Sequence, residues 1–522
     1  MRAAQRQNAG LKPQPPARPC RPRKPPLPTT SPLTAPVPAP SAGSTRQPAG
    51  IKVIFFAEMW ERFSYYGMRA LLVLYLVNAN GYSRNDALAL YGVYTGLVYL
   101  TPLIGGALAD RYLGKRRAAV IGGTVMMLGH FAMAFAPLLH IALGLLIVGN
   151  GLFKPNTSAM VGDLYDSESD PRRAGGYSIF YMGVNLGAFI APLVAGTLGQ
   201  TVGWHWGFGA AGVGMLLGLT QFLWQQPALG RAGLMATQGP VGRADAGLVA
   251  VWTAGCVALV VGALQLWKLV GPVYGSLATP LQALLAVAVI AGTVFAIARP
   301  NADVVGREPL TRGEWGRVFA IVVVMFFVIA FWTGFEQAGG TMALFADQNT
   351  DRHVGSFEVP SSWFQSINPL VIVALAPLFA ALWTRLDRSA YALSDSLKQA
   401  LGMVVLGLGF VVMAAAQAQA DTGQKVGMQW LVVVFVIHTL GELMLSPVGL
   451  SMVSRVAPVQ LASLLMGVWF LSSAAANYLA GVMEHLLQGS GFALYPFLAA
   501  FAIGAGVLLA LISRPLERLM RG

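Results

Sequence analysis

The sequence predicts an all-α polytopic membrane protein: two six-helix bundles joined by an accessory helix pair. Three observations carry that prediction. Of the 522 residues, 55% are hydrophobic and only 11% are charged, against about 25% charged in an ordinary soluble protein. Apolar stretches long enough to span, about 17 to 25 residues each, recur fourteen times along the chain. Basic residues gather in alternate connections between those stretches, as membrane topology requires.

The first six spans lie at roughly 52–79, 88–109, 118–137, 140–162, 174–199 and 205–224. Two more follow at 247–268 and 278–298, and the last six lie at 315–346, 362–384, 397–416, 427–455, 461–485 and 491–513. The domains read from this spacing are a tail at 1–50, a bundle at 51–224, linkers with the accessory pair at 225–314, a second bundle at 315–513, and a short tail at 514–522. The first linker carries Pro227, Gly230, Gly233, Gly239, Pro240 and Gly242, a composition that breaks helices. The accessory pair has no intramembrane acid and a single charge, Lys268, at one end. It is expected to pack beside the two bundles.

The net charge of +13 invites a nucleic-acid reading, but its distribution excludes one. Arg111, Lys115, Arg116 and Arg117 follow span two, Arg172 and Arg173 span four, and Arg231 and Arg243 span six. Arg385 and Arg388 follow span ten, Arg455 span twelve, and Arg514, Arg518 and Arg521 close the chain. The opposite connections offer little beyond Arg84, Lys268, Arg352 and Lys425. By the positive-inside rule both termini are cytoplasmic. Residues 1–50 are rich in proline and arginine, with no apolar segment, and read as a disordered tail that either binds anionic lipid or is dispensable. Cys20 and Cys256 make neither a disulfide framework nor a metal signature.

Span one is apolar except for Glu58, Glu61, Arg62 and Arg69. At 100° per residue Glu58, Arg62, Tyr65 and Arg69 fall on one helix face, with Glu61 to one side. An ionisable group in the bilayer costs about 2.5 to 3.5 kcal/mol on insertion scales, so such a stripe implies pairing or a watery pathway. Lys154, deep in span four, needs an acidic partner or an anionic ligand by the same argument. Asn185 in span five and Tyr94 in span two serve either a ligand or interhelix hydrogen bonds. The second half has the opposite sign, with Glu336 in span nine and Glu442 in span twelve. Asn368 adds an amide, Ser446 a hydroxyl, and Trp469 an indole that either packs or lines a ligand. A zwitterion with its carboxylate at Arg69 and Lys154 and its ammonium at a glutamate would bridge the halves. Without ligand the same groups could pair with each other as gates.

His438 and Glu442 stand four apart on one helix but lack a third ligand, so no metal site is expected. No nucleophile with a base at workable spacing marks an enzyme.

Between spans two and three, Gly105-Gly106 and Asp110-Arg111 with Gly114-Lys115-Arg116-Arg117 resemble the loop signature of the major facilitator superfamily, a gating latch. Glu58-x-x-Glu61-Arg62-Phe63-x-Tyr65-Tyr66-Gly67 resembles the first-helix motif of the proton-coupled oligopeptide transporter family. Leu152-Phe153-Lys154-Pro155-Asn156, Phe180-Tyr181 with Asn185-x-Gly187, Glu336-Gln337, Asn368-Pro369, Gly441-Glu442 with Ser446-Pro447, and Trp469-Phe470 continue the match from about residue 51 onward. The resemblance implies a major facilitator fold in a bacterial inner membrane, importing di- and tripeptides with protons, without a cofactor and as a monomer.

Carried over residue by residue, it assigns proton coupling to Glu58, Glu61, Arg62, Lys154 and Glu336. Tyr66, Arg69 and Lys154 would serve the peptide carboxylate, Asn185, Asn368 and Glu442 its amino end, and Tyr94 and Trp469 its side chains, with Ser446 a further substrate-binding residue. Arg69 with Glu336, and Lys154 with Glu442, would be the gating salt bridges. Two positions depart from the pattern: Ala87 stands where some members carry a histidine, and Met342 where some carry an acid. Other members move nitrate and similar solutes, though an unpaired Glu442 would repel a simple anion.

Overall fold

A computed structural model describes residues 46–235, 258, 311–389, 392–458 and 461–521. The first bundle comprises α1 (Gly50–Asn78), α2 (Arg84–Leu108), α3 (Lys115–Ala132), α4 (Leu139–Asp163), α5 (Arg173–Ala191) and α6 (Trp204–Gln225). The second comprises α7 (Arg312–Phe335), α8 (Thr341–Gln348), α9 (Ile367–Asp387), α10 (Asp395–Ala420), α11 (Gln429–Val456), α12 (Ala462–Leu487) and α13 (Leu494–Arg521). Each span expected in the two bundles has its helix. The accessory pair expected at 247–298 and most of the tail lie outside the described residues.

Among the described residues, nine helical stretches are long and apolar enough to cross a membrane. The chain is a multi-pass membrane protein. Helix α1 is not among the nine, because Lys52, Glu58, Glu61, Arg62 and Arg69 interrupt it. Its burial comes from neighbours instead: Glu58, Glu61 and Arg62 are at most 2% exposed.

Local signals set several helix starts. Thr311 and Glu314 form a reciprocal capping box at α7, with Thr311 N donating to Glu314 Oε2 at 2.8 Å and Glu314 N to Thr311 Oγ1 at 3.2 Å. Two orphan donors of the first turn are thereby satisfied. Ser83 caps α2 by accepting from Asp86 N at 3.1 Å.

Span nine, expected as one helix over 315–346, is broken. A 3₁₀ turn at Glu336–Gly339 separates α7 from α8. Gly339 and Gly340 are poor helix formers, and a Cβ on Gly339 would lie 1.9 Å from Tyr91 Oη of the first bundle. Close cross-bundle packing therefore requires glycine where the helix breaks. Gln337 braces the turn, donating from Nε2 to Ala480 O at 3.0 Å and accepting at Oε1 from Thr341 at 2.8 Å.

Each bundle has its own apolar core, and α8 is shared between them. Ala343 and Leu344 join the first core, while Met342, Phe345 and Ala346 join the second. Helices α2 and α12 form another seam, where a Cβ on Gly92 would sit 2.8 Å from Gly481 Cα. With no hydrophobic drive between helices in lipid, such small-residue crossings supply the close van der Waals contact.

The chain emerges from α1 and ends in α13 at one end of the molecule, here the near end. At the far end α5 continues through two π turns, Pro192–Gly196 and Leu198–Val202. Small strands decorate that end: Thr350–Asp351 pairs in parallel with Val426–Gly427, and His353–Val354 antiparallel with Phe357–Glu358.

At the near end the expected latch takes a different form. Asp110 is exposed, and the tie runs through Asp163, which accepts from Lys115 Nζ at 2.8 Å and from Gly233 N at 3.2 Å. Arg116 donates to Ala232 O and Gly230 O, each at 2.6 Å. The π turn Ala109–Leu113, ending at Gly114 with φ +75°, swings the chain so that Lys115 and Arg116 face the linker.

Candidate functional site

Helix α1 carries the proposed proton-handling groups to its contact with α4. Arg62 forms a two-pronged pair with Glu61, one arm being Nη2 to Oε1 at 2.6 Å, and its Nε stands 3.5 Å from Glu58 Oε1. Helix α4 supplies the remaining donors: Asn150 Nδ2 to Glu61 Oε1 at 3.2 Å and Thr157 Oγ1 to Glu58 Oε2 at 3.0 Å. Both carboxylates are thus hydrogen-bonded, which makes their burial tolerable. Arg62 also stacks over Tyr65, its Cζ 5.0 Å from the ring centroid, and a flat guanidinium suits that position better than an ammonium.

Two turns further along α1, Arg69 crosses to the second bundle. Its Nη2 pairs with Glu336 Oε2, its Nε donates to Tyr91 Oη at 2.6 Å, and Tyr66 lies beneath its Cζ at 5.8 Å. Arg69 is 8% and Glu336 3% exposed. The helix break places Glu336 here, because its side chain leaves from a turn rather than from a continuous helical face. Arg69 and Glu336 are brought together as expected.

Lys154 and Glu442, expected as the second gating bridge, are not paired in this structure. The Lys154 ammonium lies over the Tyr99 ring, 5.3 Å from its centroid. Glu442 accepts instead from Asn368 Nδ2 at 2.7 Å, and the same nitrogen stands 3.0 Å from Thr439 Oγ1. Glu58 and Glu61 of its own bundle are the carboxylates that act on Lys154, while Glu442 faces the neutral amide of Asn368.

The remaining site residues are distributed around these groups. Asn185, 4% exposed, donates back to Tyr181 O at 2.9 Å. Ser446 lies one turn beyond Glu442, its buried Oγ without a hydrogen-bond partner among the described residues. Trp469 is 8% exposed and packs on α11, where a Cβ on Gly449 would meet its ring at 2.4 Å. Tyr94, expected to line a pocket, sits in the first bundle's core with Tyr65 and Tyr91 at 1% exposure. In this conformation it is a packing residue of that core. The departing positions Ala87 and Met342 are both fully buried.

Sequence reasoning did not single out Asn150, Thr157, Tyr91 or Thr439. Tyr91 lies in span two with Tyr94 and Tyr99, and nothing local separates the three. Asn150 and Thr157 lie one turn before and just after Lys154, a spacing that could have marked them. Among the described residues no cluster of His, Cys, Asp and Glu could hold a metal ion.

A family model described as the POT family matches residues 116–266 and 276–496, more than half of the chain. The chain belongs to the POT family. A peptide transporter of Yersinia enterocolitica is 37% identical over 506 residues, covering 91% of this chain and 95% of its own. A di-/tripeptide transporter of Lactococcus lactis is 32% identical over 496 residues, covering 91% and 97%. A crystal structure of a POT peptide transporter, a glutamate-to-glutamine variant in complex with alafosfalin, superposes with TM-score 0.78 at 36% identity, covering 92% of this chain and 98% of that one. This POT-family chain is a membrane transporter of the major facilitator type, not an enzyme.

Proposed function

We propose that this POT-family protein is a proton-coupled symporter that imports di- and tripeptides by alternating access. The observation that carries the reading is the asymmetry between the two cross-bundle pairs. Arg69–Glu336 is made, whereas Lys154 and Glu442, on opposite bundles, are not paired with each other. One gate is closed, and the groups of the other are free to receive a zwitterion: Lys154 the peptide carboxylate, Glu442 and Asn368 the amino end. The named peptide substrates of the relatives support this class of ligand.

In this reading the protein sits as a monomer in a bacterial inner membrane, both termini cytoplasmic, driven by the proton gradient without a cofactor. The far end is then the outer end, and the structure is the inward-facing state. Glu58, Glu61, Arg62 and Lys154 handle the proton, and Glu336 releases Arg69 when neutralised. Tyr66 and Arg69 complete the carboxylate side and Asn185 the amino side, Ser446 is a further substrate contact, and Trp469 forms a side-chain wall. The domain boundaries at 51–224 and 315–513 divide the moving halves.

The deciding experiment is uptake into proteoliposomes of the purified chain under an imposed pH gradient, with a panel of dipeptides, tripeptides, free amino acids and nitrate. Accumulation of di- and tripeptides against their gradient supports the reading. Binding without accumulation, or preference for nitrate, overturns it.

A further inference from the structure

The far end holds a polar chain that the ion-pair gate does not use. Asp347 is the next-to-last residue of α8, where a carboxylate opposes the negative end of the helix dipole. An acid is stable there only if donors answer it, and three stand around this one. Asn78 Nδ2, at the last residue of α1, donates to Oδ2 at 2.9 Å; Ser361 Oγ donates to Oδ1 at 3.1 Å; Arg352 Nη2 lies 3.5 Å from Oδ1. Ser361 Oγ in turn accepts from Gln200 Nε2 at 2.7 Å, and Gln200 Oε1 accepts from Ser362 N at 3.0 Å. Asn78 and Gln200 belong to the first bundle, and Asp347, Ser361 and Ser362 to the second. Both ends of the chain are therefore anchored in one bundle and its middle in the other.

Gln200 reaches across because α5 widens into π turns at this point. The Gly196 backbone lies so close to the Ser362 side chain that a Cβ on Gly196 would lie 2.1 Å from Ser362 Oγ. Beside it Trp363 Nε1 donates to Thr197 Oγ1 at 2.8 Å.

The chemistry differs from that of the deeper gate. If the far ends part, Asp347 keeps Arg352 and Ser361, both on its own bundle, so no charge is stranded. Parting Arg69 from Glu336, by contrast, leaves a buried charge without its partner. The outer chain is thus built of bonds that break reversibly, and their number sets how often the far end opens.

We infer that Asp347, with Asn78 and Gln200, forms a positioning clasp that sets the fraction of molecules closed at the far end. It acts through Arg69–Glu336 by holding α8 and the Glu336 turn against the first bundle. The inference rests on the alternating-access reading above.

The test uses the purified full chain in detergent with Cys20 and Cys256 replaced by serine and a reporter cysteine at Leu88. Leu88 is 1% exposed, and a Cβ on Gly340 of the second bundle would lie 3.2 Å from its Cδ2. Asp347→Ala and Gln200→Ala each raise the maleimide labelling rate of that cysteine about 5- to 30-fold, as the loss of one or two hydrogen bonds implies. Asn78→Ala, at an exposed helix end, moves the rate the same way and keeps the test alive if Asp347→Ala does not fold. Asp347→Asn, which with Asn78 turned end over end keeps both hydrogen bonds, stays within about twofold of the parent; a residue important only for folding would not discriminate in this way. Parental labelling in all three alanine variants, while saturating dipeptide at low pH still alters labelling of the parent, overturns the clasp. A parent that never responds to peptide or pH overturns the alternating-access reading instead.

Discussion

The Arg69 guanidinium on α1 and the Glu336 carboxylate on the turn after α7 meet across the two bundles, and Tyr91 Oη takes the guanidinium's Nε at 2.6 Å. Neither residue is more than 8% exposed. Removing one partner of such a pair strands the other, at a cost of about 3 to 5 kcal/mol, whereas replacing both with apolar side chains is often neutral. In the proposed alternating-access mechanism the pair is a gate whose release requires neutralising one side.

Arg69→Met or Glu336→Met alone is expected to lower the melting temperature and abolish uptake. Arg69→Met with Glu336→Met together should recover most of the melting temperature but none of the uptake. Thermal melting and proteoliposome uptake, run in parallel on the three variants, check both parts.

Glu61→Gln should eliminate accumulation driven by a pH gradient while leaving exchange of peptide for peptide across the membrane; Lys154→Ala, which also loses the partner of the peptide carboxylate, should eliminate both. Exchange needs only the binding and rocking steps, and the Glu61–Arg62–Asn150 cluster lies apart from the Asn368–Glu442 pair. Gradient-driven accumulation by either variant at parental rates contradicts the coupling role.

Glu442→Gln should weaken peptides with a free amino end more than the same peptides with the amine acetylated. A charge-assisted contact contributes about 1.5 to 3 kcal/mol, so a difference of about ten- to a hundredfold in half-saturation is expected. Competition assays measure it, and equal losses for both peptide forms remove Glu442 from the amino-end role.

Gly92→Ala should disfavour closure at the far end, because its Cβ would fall 2.8 Å from Gly481 Cα. Overpacking of this kind costs about 1 to 3 kcal/mol. Labelling of the cysteine at Leu88 is expected to rise without any change in the polar gates.

Deleting residues 1–46 should leave stability and uptake unchanged, but deleting through Gly50 should not. Gln47 donates to Arg172 O at 3.0 Å and accepts from Tyr165 at 2.6 Å, and Ile51 N donates to Pro48 O at 3.1 Å. The loss of these ties is expected to cost about 1 to 3 kcal/mol. Melting temperatures of the two truncations decide it, and the start of the folded unit at Gln47 lies four residues before the start at 51 read from composition.

Much of the site was legible because buried charge in an apolar segment is conspicuous. Glu58, Glu61, Arg62, Arg69, Lys154, Glu336 and Glu442 all stood out by cost alone. Their neutral partners did not: Asn150, Thr157, Tyr91 and Thr439 are ordinary in a transmembrane helix until an acceptor lies opposite. Asp347 and Gln200 sit at span ends, where polar residues need no explanation, so the clasp was invisible. The break at Glu336 was hidden as well, since Gly339-Gly340 within a long apolar run also suits a close helix crossing.

The sequence by itself determined the class of protein, the bundle spans and the sign of charge each bundle presents. Those properties follow from transfer free energy and helical periodicity, which act residue by residue. Only the tertiary structure decided which of the two expected ion pairs is made: Arg69 meets Glu336, and Glu442 takes the neutral amide of Asn368 rather than Lys154. Pairing depends on how two rigid bundles lie against each other, and that is set by contacts summed over whole helices, such as the Gly92–Gly481 seam. The same charges are compatible with either gate being closed, so the state is a property of the assembled fold.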